Sequence, residues 1–336
     1  MHSILVVLCS PPGGDQAETK EEGQLSSLDV SFVILCFNNR EILRRCLEAV
    51  YGTIQGLTFE VIVVDNGSTD GSPEMLAREF PQVRVIRNAT NLGWAAAGNQ
   101  GLLAAQGRYS VRLDSDTEAY PGTFTELVAF MDQHPEVGVA GSKLLNPDGT
   151  AQATGRTFTT PAAVLFGRKS WLSKKFPNNR FSKRYLTCLH TQGDDPYPVD
   201  WVSGASMIVR REVIEQGLLI DDQRFFVFAA DLDWCYEIRQ AGWEIYYVPR
   251  SAILHNEGGT TKQRRDAAII EFYRGMYQYY RKHFVRNWYD PSHAAAIAGL
   301  TALAILALAR KRVVLFTAWI RGTKAGRKKV EAGLAR

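Results

Sequence analysis

The segment Leu113-Asp114-Ser115-Asp116-Thr117 sets two carboxylates one residue apart at the end of an apolar run. In an extended chain residues i and i+2 point to the same side, so these two repel unless a cation lies between them. A hard divalent ion suits that position. Mg²⁺ or Mn²⁺ prefers oxygen ligands, keeps several waters, and binds through one or two carboxylates plus the phosphates of a substrate. Asp-x-Asp also occurs in solvated turns, so the elements that deliver it must decide.

Those elements alternate. Val30 to Phe37 reads as a strand, and Ile42, Leu43, Cys46, Leu47 and Val50 follow at helical spacing behind Asn39 as a candidate cap. Glu60 to Asp65 is a second, buried strand; Asn66 to Gly71 is a turn, and Ser72-Pro73 supply an N-cap and first helical position before Met75, Leu76 and Phe80. Val83 to Arg87 is a third strand, Ala95 to Ala105 a helix of small residues, and Tyr109 to Leu113 a fourth strand ending at the carboxylates. This order predicts an α/β fold with one mostly parallel central sheet flanked by helices. In such sheets ligands bind at the carboxyl ends of the strands. Asp65, Asn88 to Gly93 and Asp114 to Thr117 all fall there, so three strand ends converge on one crevice.

Residues 143 to 200 carry five prolines and a basic cluster at Lys174, Lys175, Lys183 and Arg184, and read as long loops over the cleft. A last α/β portion runs through Asp200 to Arg211, Arg224 to Phe228, a helix from Leu232 to Ala241 stopped by Gly242, and a strand Glu244 to Val248, before His255. In Asn91-Leu-Gly93-Trp-Ala-Ala-Ala-Gly98-Asn99-Gln100-Gly101, glycine and alanine let a helix start lie close to the sheet and to a nucleotide. The run is not G-x-G-x-x-G, and Asn99-Gln100 stand where a P-loop needs Lys-Ser/Thr, so ATPase and dinucleotide readings lose support.

Length and composition set the outer bounds. At 336 residues, 46% hydrophobic and 22% charged, the chain can bury a full core. A net charge of +4 is too small to argue for nucleic acid as a partner. The five cysteines are scattered without a C-x-x-C pair, which fits free thiols in a reducing compartment. Residues 1–28 divide into a short apolar start without a basic flank, read as non-secretory, and a polar stretch that cannot offset the entropy of ordering, read as a flexible arm.

The ordered segments VSFVILCFNN, VIVVDNGSTDGS, NLGWAAAGNQG, LDSDT, VDWVSGASMIVRR, FFVFAADLDWCYEIRQAGWEIYYVP and HNEGG resemble the family 2 glycosyltransferases of GT-A fold, in their rhamnosyltransferase-like branch. The resemblance covers Asp29 to Phe284 and implies a glycosyltransferase domain over 29–285. It implies that Asp65 binds the nucleobase of a nucleotide-sugar donor, that Asp114 binds its ribose, and that Asp116, with His255, holds Mg²⁺ or Mn²⁺ against the diphosphate. Asn38, Asn66, Gly93, Asn99, Trp201 and Gly204 fall in donor-binding segments. The base that takes the acceptor proton is expected at Asp231, with Asp233 as runner-up; the family often carries an acid where this chain has Ala230. Asp231 would also serve as an N-cap and Asp233 would favour the positive end of a helix. His134, His190, His283 and His293 show no metal-ligand spacing.

The C-terminal portion, 286–336, combines an apolar helix with a basic tail. Upstream of it, Phe272, Tyr273, Met276, Tyr277, Tyr279, Tyr280 and Phe284 alternate with Arg274, Arg281 and Lys282, a composition suited to a membrane interface. Ala294 to Ala309 lacks charge over sixteen residues, about 24 Å of helix against a hydrocarbon core of about 30 Å, so it is expected to dip rather than span. Residues 310 to 336 hold nine Lys or Arg against one Glu and would face anionic lipid at the cytoplasmic side of a membrane. The expectation is an inverting, metal-dependent transferase that moves a sugar, rhamnose by resemblance, from a dTDP- or UDP-linked donor to a glycan or lipid-linked acceptor in cell-envelope polysaccharide synthesis. The alternatives are a catalytically inactive nucleotide-sugar-binding module and a sugar nucleotidyltransferase. The latter needs a basic Gly-rich loop where the first strand ends in Cys36-Phe37-Asn38-Asn39.

Overall fold

A computed structural model of the protein describes residues 28–158, 175, 187–190, 193–256, 265–285, 287 and 289–320. The expected N-terminal arm, much of the loop region with Lys174, Lys183 and Arg184, Gly258-Gly259 and the end of the basic tail lie outside the described residues.

Strands β1 (Val30–Cys36), β2 (Phe59–Asp65), β3 (Arg84–Arg87) and β4 (Tyr109–Asp114) are parallel and lie in the order β3-β2-β1-β4. The sheet continues through β10 (Ser206–Arg210), β6 (Val137–Leu145), β11 (Glu244–His255) and β5 (Thr117–Ala119). β10 runs antiparallel to both its neighbours, whereas β6 and β11 are parallel to each other. Short strands β7 (Gly155–Arg156) and β9 (Trp201–Val202) form a separate pair, and β8 (Tyr197–Pro198) joins β11. The central sheet is therefore mostly parallel, as its alternating pattern predicts.

Both faces are covered. On one, Phe32, Ile34 and Val63 pack with Leu43, Cys46, Leu47 and Val50 of α1 (Arg40–Thr53), with α2 (Ser72–Glu79), and with Phe124, Leu127 and Met131 of α4 (Thr123–Gln133). On the other, α3 (Gly93–Ala104) and α7 (Ala230–Gln240) cover Val139, Met207 and Val209. Trp234 of α7 is fully buried and its indole N–H donates to the Leu218 carbonyl at 2.8 Å; its truncation would cost about 3–5 kcal/mol. The short helices α5 (Thr187–His190) and α6 (Arg211–Glu215) lie between strands. The four described cysteines, Cys36, Cys46, Cys188 and Cys235, are free thiols.

Several boundaries differ from the sequence reading for local reasons. Asn39 precedes α1, but its side chain makes no cap bond; its amide reaches across to the Ser115 hydroxyl and tethers the turn after β4. α2 starts at Ser72 itself. Gly71 is left-handed at φ 84°, and the Asp70 carboxylate accepts from the Ser72 N–H (3.1 Å) and hydroxyl (2.6 Å). Arg224 to Phe228 is a turn segment, and α7 begins two residues earlier than expected, after Ala229 at φ 64°. β11 passes Pro249 and runs to His255, because a register shift between Val248 and Ala252 takes up the irregularity.

Two C-terminal helices follow, α8 (Arg265–Phe284) and α9 (Pro291–Ile320). α8 packs on α7 through a ring cluster of Tyr236, Tyr279, His283 and Phe284. In α9 the stretch Pro291–Arg310 is 20 residues with mean hydropathy 1.9 and no part of it buried. That is about 30 Å of helix, so by length and composition it could cross a membrane.

Candidate active site

Strand register places the first two acidic groups. Asp65 lies beside Cys36 and Asp114 beside Leu35, so both stand at the carboxyl edge on either side of β1. Asp65 is 1% exposed. Its Oδ1 accepts from the Ser68 N–H at 3.1 Å, and its Oδ2 has no hydrogen-bond partner among the described residues; Arg87 stands 3.8 Å away. A buried carboxylate oxygen left in that condition costs free energy unless something donates to it. Asn38, at φ 50°, holds the adjacent loop by accepting from the Thr69 N–H at 2.8 Å.

Asp114 ends β4, Ser115-Asp116 form the turn, and β5 carries the chain back beside β11, where His255 pairs with Thr117. One ligand atom each of Asp114, Asp116 and His255 falls within 4.8 Å of the others. His255 Nε2 is 3.4 Å from Asp116 Oδ1. The imidazole is oriented from behind. Gln152 Nε2 donates to the Asn146 side chain and to the His255 carbonyl, both at 2.9 Å, so its Oε1 is the acceptor for Nδ1–H at 2.8 Å. In the neutral ring this turns the Nε2 lone pair toward Asp116, the arrangement that second-shell partners impose on metal-binding histidines. Two carboxylates and one imidazole could hold a divalent ion, and the carboxylates suit Mn²⁺ or Mg²⁺.

Asp231 and Asp233 separate as i and i+2 on a helix must. Asp233 is 1% exposed and turned away, its Oδ2 bound to Lys282 Nζ at 2.8 Å and its Oδ1 to His283 Nε2 at 2.7 Å. It locks α7 to α8 and leaves Asp231 as the crevice carboxylate. Asp231 Oδ2 accepts from the Gly204 N–H at 3.1 Å and Oδ1 from the Leu232 N–H at 3.0 Å, so it is not the N-cap; Ala229 is. Burial raises the Asp231 pKa, against the lowering pull of the Gly204 N–H and the Arg156 and Arg112 charges. A carboxylate so adjusted is a better proton acceptor.

The remaining expected donor residues divide. Gly204 stands between Asp231, to which its N–H donates, and Arg112, which donates to its carbonyl. Trp201 is a buried rim residue, its indole N–H on the Thr157 carbonyl at 3.0 Å and the Arg156 guanidinium 4.4 Å from its ring centre. Asn66 is engaged within the protein: its amide donates to Asn91 Oδ1 and the Gly93 carbonyl and accepts from Asn88 and the Leu92 N–H, which uses all four of its hydrogen-bonding positions. It shapes the 88–93 loop. Asn99 pairs with both the N–H and the carbonyl of Ile220. Gly93, at φ 87°, lets Phe226 approach α3, and the Trp94 N–H takes the Phe226 carbonyl at 2.6 Å.

Sequence reasoning missed Arg112 and Gln152. Arg112 is fully buried in β4, donates through Nη1 to Asp114 Oδ1 at 2.5 Å and to the Gly204 carbonyl, and lies over the Trp94 ring at 3.9 Å. A charge between Val111 and Leu113 in an otherwise apolar strand was its signal. Gln152 sits in an irregular segment and offered none.

Sheet order and carboxylate crevice together define the GT-A glycosyltransferase class. Two solved structures share the fold: a mannosyltransferase from Pyrobaculum calidifontis in complex with GDP-Man and Mn²⁺ (TM-score 0.51, 18% identity, 94% of this chain and 84% of that one) and GalNAc-T7 with UDP, GalNAc and Mn²⁺ (0.51, 20%, 70% and 45%). The chain belongs to glycosyl transferase family 2, whose profile matches residues 31–217. It is similar to an N-acetylglucosaminyl-diphospho-decaprenol L-rhamnosyltransferase of Mycobacterium tuberculosis, at 26% identity over 69% of this chain and 77% of that protein. It is also similar to the O-antigen biosynthesis protein RfbC of Myxococcus xanthus, at 26% over 74% of this chain but 19% of that longer protein.

Proposed function

We propose that this glycosyltransferase is inverting and metal-dependent, moving a sugar from a dTDP- or UDP-linked donor to a glycan or lipid-linked acceptor in cell-envelope polysaccharide synthesis. Rhamnose is the first sugar to test, from the name of the mycobacterial relative. The observation that carries the reading is the half-buried Asp231 carboxylate, tied through Gly204 and Arg112 to Asp114 of the donor edge.

Asp65 Oδ2 accepts from a nucleobase N–H, and Asp114 accepts from a ribose hydroxyl. Asp231 takes the proton of the acceptor hydroxyl as its oxygen bonds to the anomeric carbon and the bond to the nucleoside diphosphate breaks on the opposite face. A single displacement of that kind inverts the anomeric centre. A Mg²⁺ or Mn²⁺ held by Asp116 and His255 beside Asp114 would neutralise charge on the leaving diphosphate. Without the Asp116 carboxylate the rate should fall about 10²-fold or more.

Membrane association rests on α9 and on the lipid-linked substrate in the relative's name. The unburied apolar stretch would enter the bilayer from its cytoplasmic face, where the basic residues beyond it meet anionic lipid.

The test is a panel of UDP-, dTDP- and GDP-sugars with membrane extract, with Mg²⁺ or Mn²⁺ and with EDTA, on the wild type and Asp116→Asn. Turnover of one donor, abolished by EDTA and by the substitution and giving a product of inverted configuration, is expected. Nucleotide-sugar binding without turnover would instead make the chain a binding module.

A further inference from the structure

We propose that Arg112 is a positioning residue of the transfer reaction, one buried guanidinium that fixes the separation between the donor-side carboxylate of Asp114 and the base Asp231. The inference rests on the glycosyltransferase reading above.

Arg112 lies in the middle of β4 with no exposed surface. Its Nη1 bridges Asp114 Oδ1 and the carbonyl of Gly204. The N–H of the same glycine, in the preceding peptide unit, donates to Asp231 Oδ2 at 3.1 Å. One cation thus reaches one carboxylate directly and the other through a single glycine. Trp94 completes the mount: its ring lies 3.9 Å from the guanidinium, and its indole N–H donates to Asp114 Oδ1 at 3.3 Å. With Arg112 and Trp94 both on Oδ1, Asp114 keeps Oδ2 for a ligand. Gly204 cannot carry a side chain there, because a Cβ would strike the Trp94 ring.

Packing does not explain this arginine. Val111 and Leu113 beside it are buried apolar residues, and replacing a buried charge by an apolar side chain of similar volume is often neutral or stabilising. Arg112 also keeps Nε and Nη2 without hydrogen-bond partners among the described residues. A charge retained at such cost at the floor of a site is expected to serve the site. The two N–H bonds of the planar Nη1 have fixed directions, whereas an ammonium carries its three donors rotating on a flexible stem. The cations that act on Asp231 are Arg112 from β4 and Arg156 from β7, so removal of one leaves the other in place.

The experiment compares full-length wild type, Arg112→Gln and Arg112→Lys. Folding is checked by Tm, and kcat, donor KM, the pH profile of kcat/KM and the Kd for UDP or dTDP are measured. R112Q is expected to lower kcat about 100-fold and to move the acid limb upward by about one pH unit, as loss of a neighbouring cation does to a carboxylate. R112K should return the limb toward wild type while kcat stays at least about tenfold down. A folded R112Q enzyme with kcat within threefold of wild type and an unmoved limb overturns the proposal. So does R112K with undiminished kcat, which also decides the matter if R112Q fails to fold. Wild type that binds the nucleotide but turns over no sugar overturns the glycosyltransferase reading instead. The positioning role is then read from binding, which R112Q should weaken at least about tenfold; unchanged affinity would sink it.

Discussion

Asp114, Asp116 and His255 form one cluster of two carboxylates and a histidine, and Asp233, Glu237 and His283 form another. In the second, Lys282 Nζ already stands among the acids, 2.8 Å from Asp233, 3.0 Å from Glu237 and 3.1 Å from Asp221. Burial works against that ammonium, but its hydrogen bonds to Asp233 and Glu237 outweigh burial and hold its pKa above the usual lysine range. The first cluster has its imidazole aimed by Gln152 from outside and opens on the crevice. Like composition therefore yields a structural clasp where one ammonium joins both acids, and a candidate ligand site where Arg112 engages Asp114 and the imidazole faces Asp116. Asp231 and Asp233, two residues apart in α7, fall on opposite sides of this divide.

The comparison predicts opposite phenotypes. Asp231→Asn should lower kcat about 10³-fold, within the range of general-base contributions, with a Tm no lower than wild type. The sign follows from the raised pKa: the folded protein holds the Asp231 proton to higher pH than the unfolded chain, so ionisation opposes folding as pH rises. A large fall in Tm would break the comparison. Asp233→Asn should do the reverse, leaving Lys282 with only Glu237 and Asp221 as charged partners at a cost of about 1.5–3 kcal/mol, read by denaturant unfolding; the double variant with Lys282→Met should recover part of it. Gln152→Leu should weaken Mn²⁺ binding about 10- to 100-fold in a metal titration, whereas His283→Gln should leave that affinity unchanged. The smallest effect is on pH. The acid limb of wild-type kcat/KM should lie above the ordinary aspartate value of about 3.9, with activity lost as pH falls and Asp231 takes up its proton.

The sheet was legible because its signals are local. Alternating apolar runs and turn residues mark β1 to β4, and an acidic residue at a strand end falls at the crevice whatever follows. The pair Asp114 and Asp116 and the choice of Asp231 over Asp233 rest on motif order, and the structure adds that Asp233 is held by Lys282 and His283. Long-range pairing was not legible. That Asn39 would leave its own helix for Ser115, or Asn99 turn to Ile220, depends on contacts between distant segments. Asn66 sits in a recognisable motif, yet only three-dimensional neighbours reveal that its amide is fully used. His283 showed no ligand spacing because its partner Asp233 comes from another helix.

The loop that presents Asp231 is held between two glycines from distant parts of the chain. Phe226 lies against Gly93 at the start of α3, and the Phe228 carbonyl lies against Gly275 of α8; a Cβ on either glycine would collide with it. A genetic screen for loss of sugar transfer would therefore collect alleles at Gly275 alongside those at Asp231, although Gly275 lies on another helix. Chains truncated before α8 would lose the wall that sets this loop, so the shortest heritable unit of activity extends past the family profile's own boundary at residue 217.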